Sequence, residues 1–292
     1  MKARDMIHPT AVIEKGATLD KNVRVGPHCY IGPHVVLGDG CELKNSVTLV
    51  GRTTVGPDCR FFTNCVIGEI PQDLKFKGGE TELTIGEDNH FRESVTVHAG
   101  TELGGGVTRI GSHNRFLVGV HLAHDTRIGN HVVMSNNVQI AGHVHIEDFV
   151  TMGGLAGVHH FVTVGRNAML GGLSRVITDA PPYMVSKGYD STVRGVNVES
   201  MKRCGLSPDD IEAVSRAYKM LYAKSSNREA PFIQRLEELR SRNGHNTHVQ
   251  YLCQFIERTL AVGKRGRYLE SLRSDTPADS RAHFENKPAG DS

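Results

Sequence analysis

The sequence lacks tryptophan, long hydrophobic runs and an excess of charge of either sign. Its 292 residues contain 34 Lys and Arg against 32 Asp and Glu, for a formal charge of +2. This balance gives no general reason to bind nucleic acid or an anionic membrane, so an anionic ligand must be held by local charges. No segment approaches the roughly 18 apolar residues of a membrane span, and the first residues lack the apolar core of a signal peptide. We therefore expect a soluble, cytoplasmic protein with no nucleic-acid partner and no transmembrane segment.

The cysteines lack the spacing typical of a zinc site or a redox-active dithiol. None of the six cysteines forms a CxxC pair, which excludes the common zinc and dithiol motifs. We expect reduced thiols, as is usual in a reducing compartment. The cysteines are Cys29, Cys41, Cys59, Cys65, Cys204 and Cys253.

Glycine, by contrast, is abundant at 32 residues, and it recurs within a six-residue repeat. From Ile7 the chain reads IHPTAV, IEKGAT, LDKNVR, VGPHCY, and the phase resumes at Ile110 with IGSHNR, FLVGVH, LAHDTR, IGNHVV. This period is neither the 3.6 of a helix nor the 2 of an ordinary strand. It predicts a solenoid in which three blocks close one triangular coil of about 18 residues, and successive coils stack as parallel strands. The leading Ile, Val or Leu of each block then fills the interior.

The repeat predicts the domain organisation. We expect a parallel β-helix over residues 1–190, interrupted by inserted loops at 67–84 and 97–109 that lie on its binding side. The repeat ends near Pro181 and Pro182, which cannot continue a paired strand.

A C-terminal α-helical domain is expected over residues 191–262. Ser207 and Pro208 form a helix start, and two further helical stretches lie near 229–242 and 246–260. From Gly263 to residue 292 the chain is rich in mixed charge and turn residues, and we expect it to be disordered.

One polar cluster stands out against the repeat. His124 is followed by Asp125, and the 18-residue coil places Gly142 and His143 beside them, with His159 and His160 one coil further. A carboxylate next to an imidazole fixes its tautomer and leaves the other ring nitrogen as a base. The N–H of Gly142, unobstructed by a side chain, offers a donor for an oxyanion. The cluster therefore indicates acyl-transfer chemistry.

Six motifs carry a resemblance to a known family. They are GEIPQDLKF, RESVTVHAGT, HLAHDTRIGN, AGHVHIEDF, GGLAGVHHF and GVNVESMKR, and with the helical region they cover roughly residues 5–262. The sequence resembles the UDP-N-acetylglucosamine O-acyltransferases, the first enzymes of lipid A synthesis. The resemblance implies a left-handed parallel β-helix, a homotrimer with sites between subunits, and no metal or dissociable cofactor.

The resemblance also implies roles for individual residues. The substrates would be UDP-N-acetylglucosamine and an acyl carrier protein that carries an (R)-3-hydroxyacyl thioester. The catalytic residues would be His124, Asp125 and Gly142. The substrate-binding residues would be Gln72, Asp73 and Lys75 in the first loop, His121, His143, His159 and His160 on the coils, and Asn197, Glu199 and Arg203 on the nucleotide side.

The family's position for acyl-chain length falls on Gly172. This residue lies about 13 Å along the stack from His124 at about 4.8 Å per coil. Glycine leaves a groove open there, so we expect a long acyl chain of around 14 carbons.

Three positions depart from the family pattern. His160 stands where glutamine is common, Cys204 where a second arginine is usual, and Arg194 where the residue is typically aromatic. The first puts the selectivity between the 3-hydroxy sugar and its 3-amino analogue in question. The second should weaken phosphate binding unless Arg194 compensates.

Two other classes use this repeat. A zinc lyase of the carbonic anhydrase type would have ligands spaced like His124 and His160, but its third ligand would fall on Gly165. A non-catalytic trimeric scaffold would not retain the set formed by His124, Asp125 and Gly142.

Overall fold

The computed structural model describes residues 6–223 and 230–273, and it forms a left-handed parallel β-helix followed by helices. The predicted fold class is therefore confirmed. Val12 pairs with Tyr30 and Arg115 with Val133, so a coil without an inserted loop contains the predicted 18 residues.

Three sheets form the faces of the β-helix, and each coil contributes one short strand to each face. Face 1 consists of β1 (Val12–Ile13), β4 (Tyr30–Ile31), β7 (Thr48–Leu49), β10 (Val66–Glu69), β13 (Thr96–His98), β16 (His121–Leu122), β19 (Gln139–Ile140), β22 (Gly157–Val158) and β25 (Arg175–Val176). Face 2 consists of β2 (Thr18–Leu19), β5 (Val36–Leu37), β8 (Arg52–Val55), β11 (Glu82–Ile85), β14 (Val107–Ile110), β17 (Arg127–Ile128), β20 (His145–Ile146) and β23 (Thr163–Val164). Face 3 consists of β3 (Arg24–Val25), β6 (Glu42–Leu43), β9 (Arg60–Phe61), β12 (His90–Phe91), β15 (Arg115–Phe116), β18 (Val133–Met134), β21 (Thr151–Met152), β24 (Met169–Leu170), β26 (Met184–Lys187) and β27 (Thr192–Val196).

The leading residue of each block packs inside the coils, as the repeat predicts. Phe61, Phe91 and Phe116 stack in consecutive coils, with ring centroids 4.9 and 5.1 Å apart. Cys29, Cys41, Cys59 and Cys65 are buried in the same interior, and all six cysteines are free thiols. Their place in the repeat is thus explained by packing.

The corners between faces decide which side chains become neighbours. The corner residues Asp125, His143 and Phe161 all adopt left-handed backbone conformations, with φ between 59 and 63°. They lie in successive coils between face 1 and face 2, and we call this corner the His124 edge, comprising residues 123–126, 141–144 and 159–162. Because the corner conformation repeats, these side chains stack along the axis.

Both inserted loops are shorter than the sequence predicts. β10 and β11 keep their places in faces 1 and 2, which leaves only residues 70–81 between them. β13 and β14 likewise leave residues 99–106, including a 3₁₀ turn at Glu102–Gly104. The predicted loops included residues that belong to strands. The reason is that the six-residue pattern breaks before the pairing of the strands ends.

The β-helix and the helical region are joined by a hairpin. β26 still pairs with β24 in parallel, so one more strand follows Pro181 and Pro182, and β27 then turns back antiparallel to β26. Tyr183 and Met184 already pack into the core of the helices.

The helices begin at Asn197, whose side chain caps the first of them. They are α1 (Val198–Arg203), α2 (Pro208–Tyr222), α3 (Phe232–Arg242), α4 (Thr247–Ala261) and α5 (Tyr268–Ser271), with a 3₁₀ turn at Gly263–Arg265. Ser207 caps α2 with Pro208 at its first position, as predicted. Within the ranges 6–223 and 230–273, no helix combines the length and apolarity needed to cross a membrane.

The chain does not become disordered at Gly263 as the sequence suggests. Residues 263–273 pack against the β-helix, and buried Asp179 accepts a hydrogen bond from the backbone N–H of Tyr268 at 3.0 Å. Composition alone could not predict this contact, because Asp179 lies far from Tyr268 in the sequence. The remainder of the predicted tail, residues 274–292, lies outside the described residues.

Candidate active site

His124 and Asp125 form a hydrogen-bonded pair on the His124 edge. His124 Nδ1 lies 2.7 Å from Asp125 Oδ2, and the exposed fractions of the two side chains are 13% and 1%. An ionised carboxylate is only an acceptor, so Nδ1 carries the proton and Nε2 holds the free lone pair. In the neutral ring, the pair therefore leaves Nε2 as the nitrogen that can act as a base.

Two threonines that the sequence did not single out hold Asp125 in place. Thr101 donates to its carboxylate from both the backbone N–H, at 2.8 Å, and the hydroxyl, at 2.7 Å. Asp125 N–H in turn donates to the hydroxyl of Thr108 at 2.8 Å. Burial acts to raise the pKa of Asp125, but the hydrogen bonds from His124 and Thr101 outweigh it and lower the pKa. Asp125 is thus ionised at neutral pH.

His143 stands one coil above this pair. Its Nε2 lies 3.7 Å from Asp125 Oδ2, and its ring stacks on Phe161 with centroids 4.4 Å apart. Burial lowers the pKa of His143 to about 4, so the ring is neutral. The donor atoms of His124, Asp125 and His143 lie within 4.8 Å of one another and form the one group that could hold a metal ion in the described chain.

Gly142 lies against the His124 ring, as the coil arithmetic predicts. A Cβ atom added at Gly142 would lie 2.5 Å from His124 Cε1 and 2.7 Å from Nε2. Only glycine therefore permits the ring to occupy this position. The N–H of Gly142 has no acceptor within residues 6–223 and 230–273.

A cavity of about 420 Å³ opens beside Asp125 and His143, on the face 2 side of the His124 edge. Asp73 and Lys75 line it, as the motifs imply, and Gln72 is exposed on the same loop. We call it the Asp125 cavity. Its other lining residues are Leu103, Gly104, Arg127, Val144, His145, Phe161, Leu269, Leu272 and Arg273.

A separate groove of about 510 Å³ runs along face 1 on the other side of the edge. His121 and His159 line it, together with Ala123, and it extends to Leu173 and Ile177. His121 Nδ1 lies 2.8 Å from the hydroxyl of Thr96. Because Ala123 lines the groove and Asp125 lines the Asp125 cavity, His124 stands between the two. We call this second depression the face 1 groove.

His98 is a further residue that the sequence analysis left without a role. Its ring meets that of His121 edge to face at 4.9 Å, and its Nδ1 is buried without a hydrogen-bond partner among the described residues. Burial lowers the pKa of His98 to about 4. The only signal in the sequence was its presence in the motif RESVTVHAGT.

Gly172 lies at a different corner from His124. It is in the turn from β24 to β25, between face 3 and face 1, and it precedes Leu173 at the far end of the face 1 groove. A Cβ atom there would lie 3.1 Å from the carbonyl oxygen of Gly154. The residue thus borders the end of the groove.

The predicted nucleotide-side residues do not meet His124 within one chain. Asn197 donates to the carbonyl of Asn167 at 2.8 Å, at the corner between faces 2 and 3, and Glu199 and Arg203 lie on the helix that follows. Glu199 is exposed and pairs with Lys202. These residues lie at another edge of the triangular prism.

Comparison with known proteins identifies the family. The model of UDP-N-acetylglucosamine O-acyltransferase domain 2 matches residues 179–267, and bacterial hexapeptide repeats match residues 10–45. The structure of LpxA from Acinetobacter baumannii is 38% identical, with a TM-score of 0.80 over 86% of this chain and 96% of that one. The chain belongs to the UDP-N-acetylglucosamine acyltransferase family. It is an acyltransferase.

Relatives from distant organisms share the family fold. The Francisella novicida UDP-N-acetylglucosamine acyltransferase is 33% identical, with a TM-score of 0.79 over 86% of this chain and 91% of that one. The Arabidopsis enzyme is 32% identical, with a TM-score of 0.77 over 89% and 99%.

The three departures from the family pattern lie in three different parts of the structure. His160 contacts the ring of its neighbour His159, with centroids 3.7 Å apart, on the His124 edge. Cys204 instead accepts from the side-chain amide of Asn167 at 3.0 Å, next to Asn197. Arg194 lies in β27, where its carbonyl accepts from Tyr218.

Proposed function

We propose that this acyltransferase moves an (R)-3-hydroxyacyl chain from acyl carrier protein to the 3-hydroxyl of UDP-N-acetylglucosamine, the first step of lipid A synthesis. The observation that carries the proposal is the 2.7 Å contact between His124 Nδ1 and the buried carboxylate of Asp125. It leaves Nε2 as the base that the sugar hydroxyl requires.

In the proposed reaction, Nε2 of His124 takes the proton of the 3-hydroxyl as its oxygen attacks the thioester carbonyl. Asp125 stabilises the imidazolium that forms, and the two hydrogen bonds from Thr101 keep the carboxylate fixed. The N–H of Gly142 holds the oxyanion of the tetrahedral intermediate. Collapse of the intermediate breaks the C–S bond, and the imidazolium returns its proton to the departing thiolate.

The distribution of residues over two edges supports a homotrimer. Asn197, Glu199 and Arg203 would reach the nucleotide only if another subunit brought its own edge to His124, as in a site between subunits. The face 1 groove, which reaches Leu173 and Ile177, has a largely apolar lining that suits an acyl chain. Exposed Leu155 and Leu173 line it.

The alternative acceptor is the 3-amino sugar. It is tested because His160 stands where glutamine is common in the family. A site built for one hydrogen-bonding group discriminates strongly against another. Purified protein is assayed with UDP-N-acetylglucosamine, with its 3-amino analogue, and with acyl carrier protein thioesters of graded length. Acylation of the 3-hydroxyl, abolished in His124→Ala, is the expected result. Absence of transfer to either sugar by the wild type would refute the proposal. Metal analysis of the same preparation tests the zinc-lyase hypothesis.

A further inference from the structure

Residues Gly263–Arg273, which we call the C-terminal strap, are anchored to the β-helix by Asp179. Asp179 N–H donates to the carbonyl of Gly266 at 2.7 Å, and its carboxylate accepts from the N–H groups of Tyr268 and Thr163. Gly266 has a φ of 55° beside Thr178, a left-handed conformation that suits glycine. These contacts tie the strap to the last coils.

A desolvated ion pair fixes the next part of the strap. Arg267 donates to Glu270 from Nε at 2.8 Å, and both side chains are only 13% exposed. The same guanidinium donates to the carbonyl of Ile177 at 2.9 Å. Charge-assisted hydrogen bonds of this kind hold a defined geometry, so the residues that follow have a defined position.

Those residues reach the Asp125 cavity. Leu269, Leu272 and Arg273 line it, and Leu103 of the second loop lines it as well. The guanidinium of Arg273 lies 4.7 Å from the centroid of the Phe161 ring, which stacks on His143. The strap therefore forms part of the wall of the same cavity that contains Asp125.

The strap also acts on His160, one of the three residues that depart from the family pattern. Burial, followed by the charges of His159 and Arg267, lowers the pKa of His160 to about 4, and the charge of Glu270 opposes this shift. The family model ends its match at residue 267, within the strap.

The charges that line the cavity favour an anion. Lys75, Arg127 and Arg273 are cationic, whereas Asp73 and Asp125 are anionic. Both substrates of the proposed reaction carry phosphate, in the sugar nucleotide and in the phosphopantetheine arm of the carrier protein.

We propose that the C-terminal strap forms a wall of the acyltransferase active site and that Arg273 binds a phosphate group of a substrate. This rests on the proposed function. Guanidinium groups are suited to phosphate because their planar N–H donors match its oxygens.

The test uses the full-length chain with Arg273→Gln. Arg242→Gln is the matched control, because Arg242 is 71% exposed on α3 and pairs only with Glu238 in the described structure. The KM for UDP-N-acetylglucosamine is measured at saturating acyl carrier protein thioester, and the KM for the thioester at saturating sugar nucleotide. The substrate whose KM changes is the one whose phosphate Arg273 binds.

Loss of one charge-assisted contact should raise one of the two KM values about tenfold, with kcat within threefold. Arg273→Lys, which keeps the charge, should recover part of the affinity, and the control should match the wild type. If both KM values stay within twofold in an active Arg273→Gln protein, the inference is wrong. An inactive wild type would instead contradict the proposed function, so the two failures are distinguishable.

Discussion

Replacing Gly142 by alanine tests whether the position of the His124 ring controls the reaction. The added methyl group would lie 2.5 Å from His124 Cε1 and 2.7 Å from Nε2. Carbon atoms in ordinary contact are about 3.5 to 4.0 Å apart, so the ring must move by about 1 Å. Such a movement breaks the alignment of Nδ1 with Asp125 and carries Nε2 away from its reacting position. Alanine keeps the backbone N–H, so the change isolates the ring from the oxyanion donor.

A misplacement of about 1 Å costs on the order of 10²-fold in rate. We expect kcat of Gly142→Ala to fall by about 10²-fold, while the two KM values change by less than about threefold. Overpacking costs roughly 1 to 3 kcal/mol in folding free energy, so a moderate fall in the thermal midpoint should accompany the loss.

Steady-state kinetics with both substrates, with the thermal midpoint measured on the same preparations, provide the assay. Gly244→Ala is the control, because a Cβ atom at Gly244 has no described heavy atom within 4 Å. The control should retain wild-type kcat. A Gly142→Ala enzyme with wild-type kcat would show that the ring has room to adjust, and the reasoning from the close contact would be refuted.

Four further outcomes are expected. His124→Ala should lower kcat by roughly 10² or more, and Asp125→Ala by less because the imidazole remains; equal kcat in His124→Ala and wild type would exclude the base. His160→Gln should shift the preference between the 3-hydroxy and 3-amino sugars, measured in competition; an unchanged ratio would show that the departure is neutral. Gly172→Met, checked for folding by its thermal midpoint, should move preference to acyl chains about four carbons shorter, at roughly 0.8 kcal/mol per lost methylene; an unchanged product ratio would place the end of the groove elsewhere. Burial lowers the folded pKa of His98 from 6.5 to about 4, so the unfolded chain binds more protons between these values. The thermal midpoint should therefore fall as pH drops from about 6.5 to 4, and His98→Gln should flatten that decline; an identical slope in the variant would contradict it.

The six-residue period determined the coil and, through it, the central part of the candidate site. A repeat of 18 residues fixes which residues are neighbours one coil apart, so His124, Gly142 and His143 could be placed together by counting. The arithmetic works because the corners of these coils share one backbone conformation, as the positive φ of Asp125 and His143 shows.

Tertiary structure decided what the period does not govern. Thr101 meets Asp125 from an inserted loop, where the count of 18 no longer applies. The strap is ordered by Asp179 and Ile177, whose contacts with it no local composition could reveal. Asn197 is separated from His124 because the cross-section of the β-helix has three sides, and the two residues lie at different edges. A repeat specifies neighbours along the axis because each coil copies the last, whereas contacts made by loops and termini depend on where the completed solenoid presents partners for their polar groups.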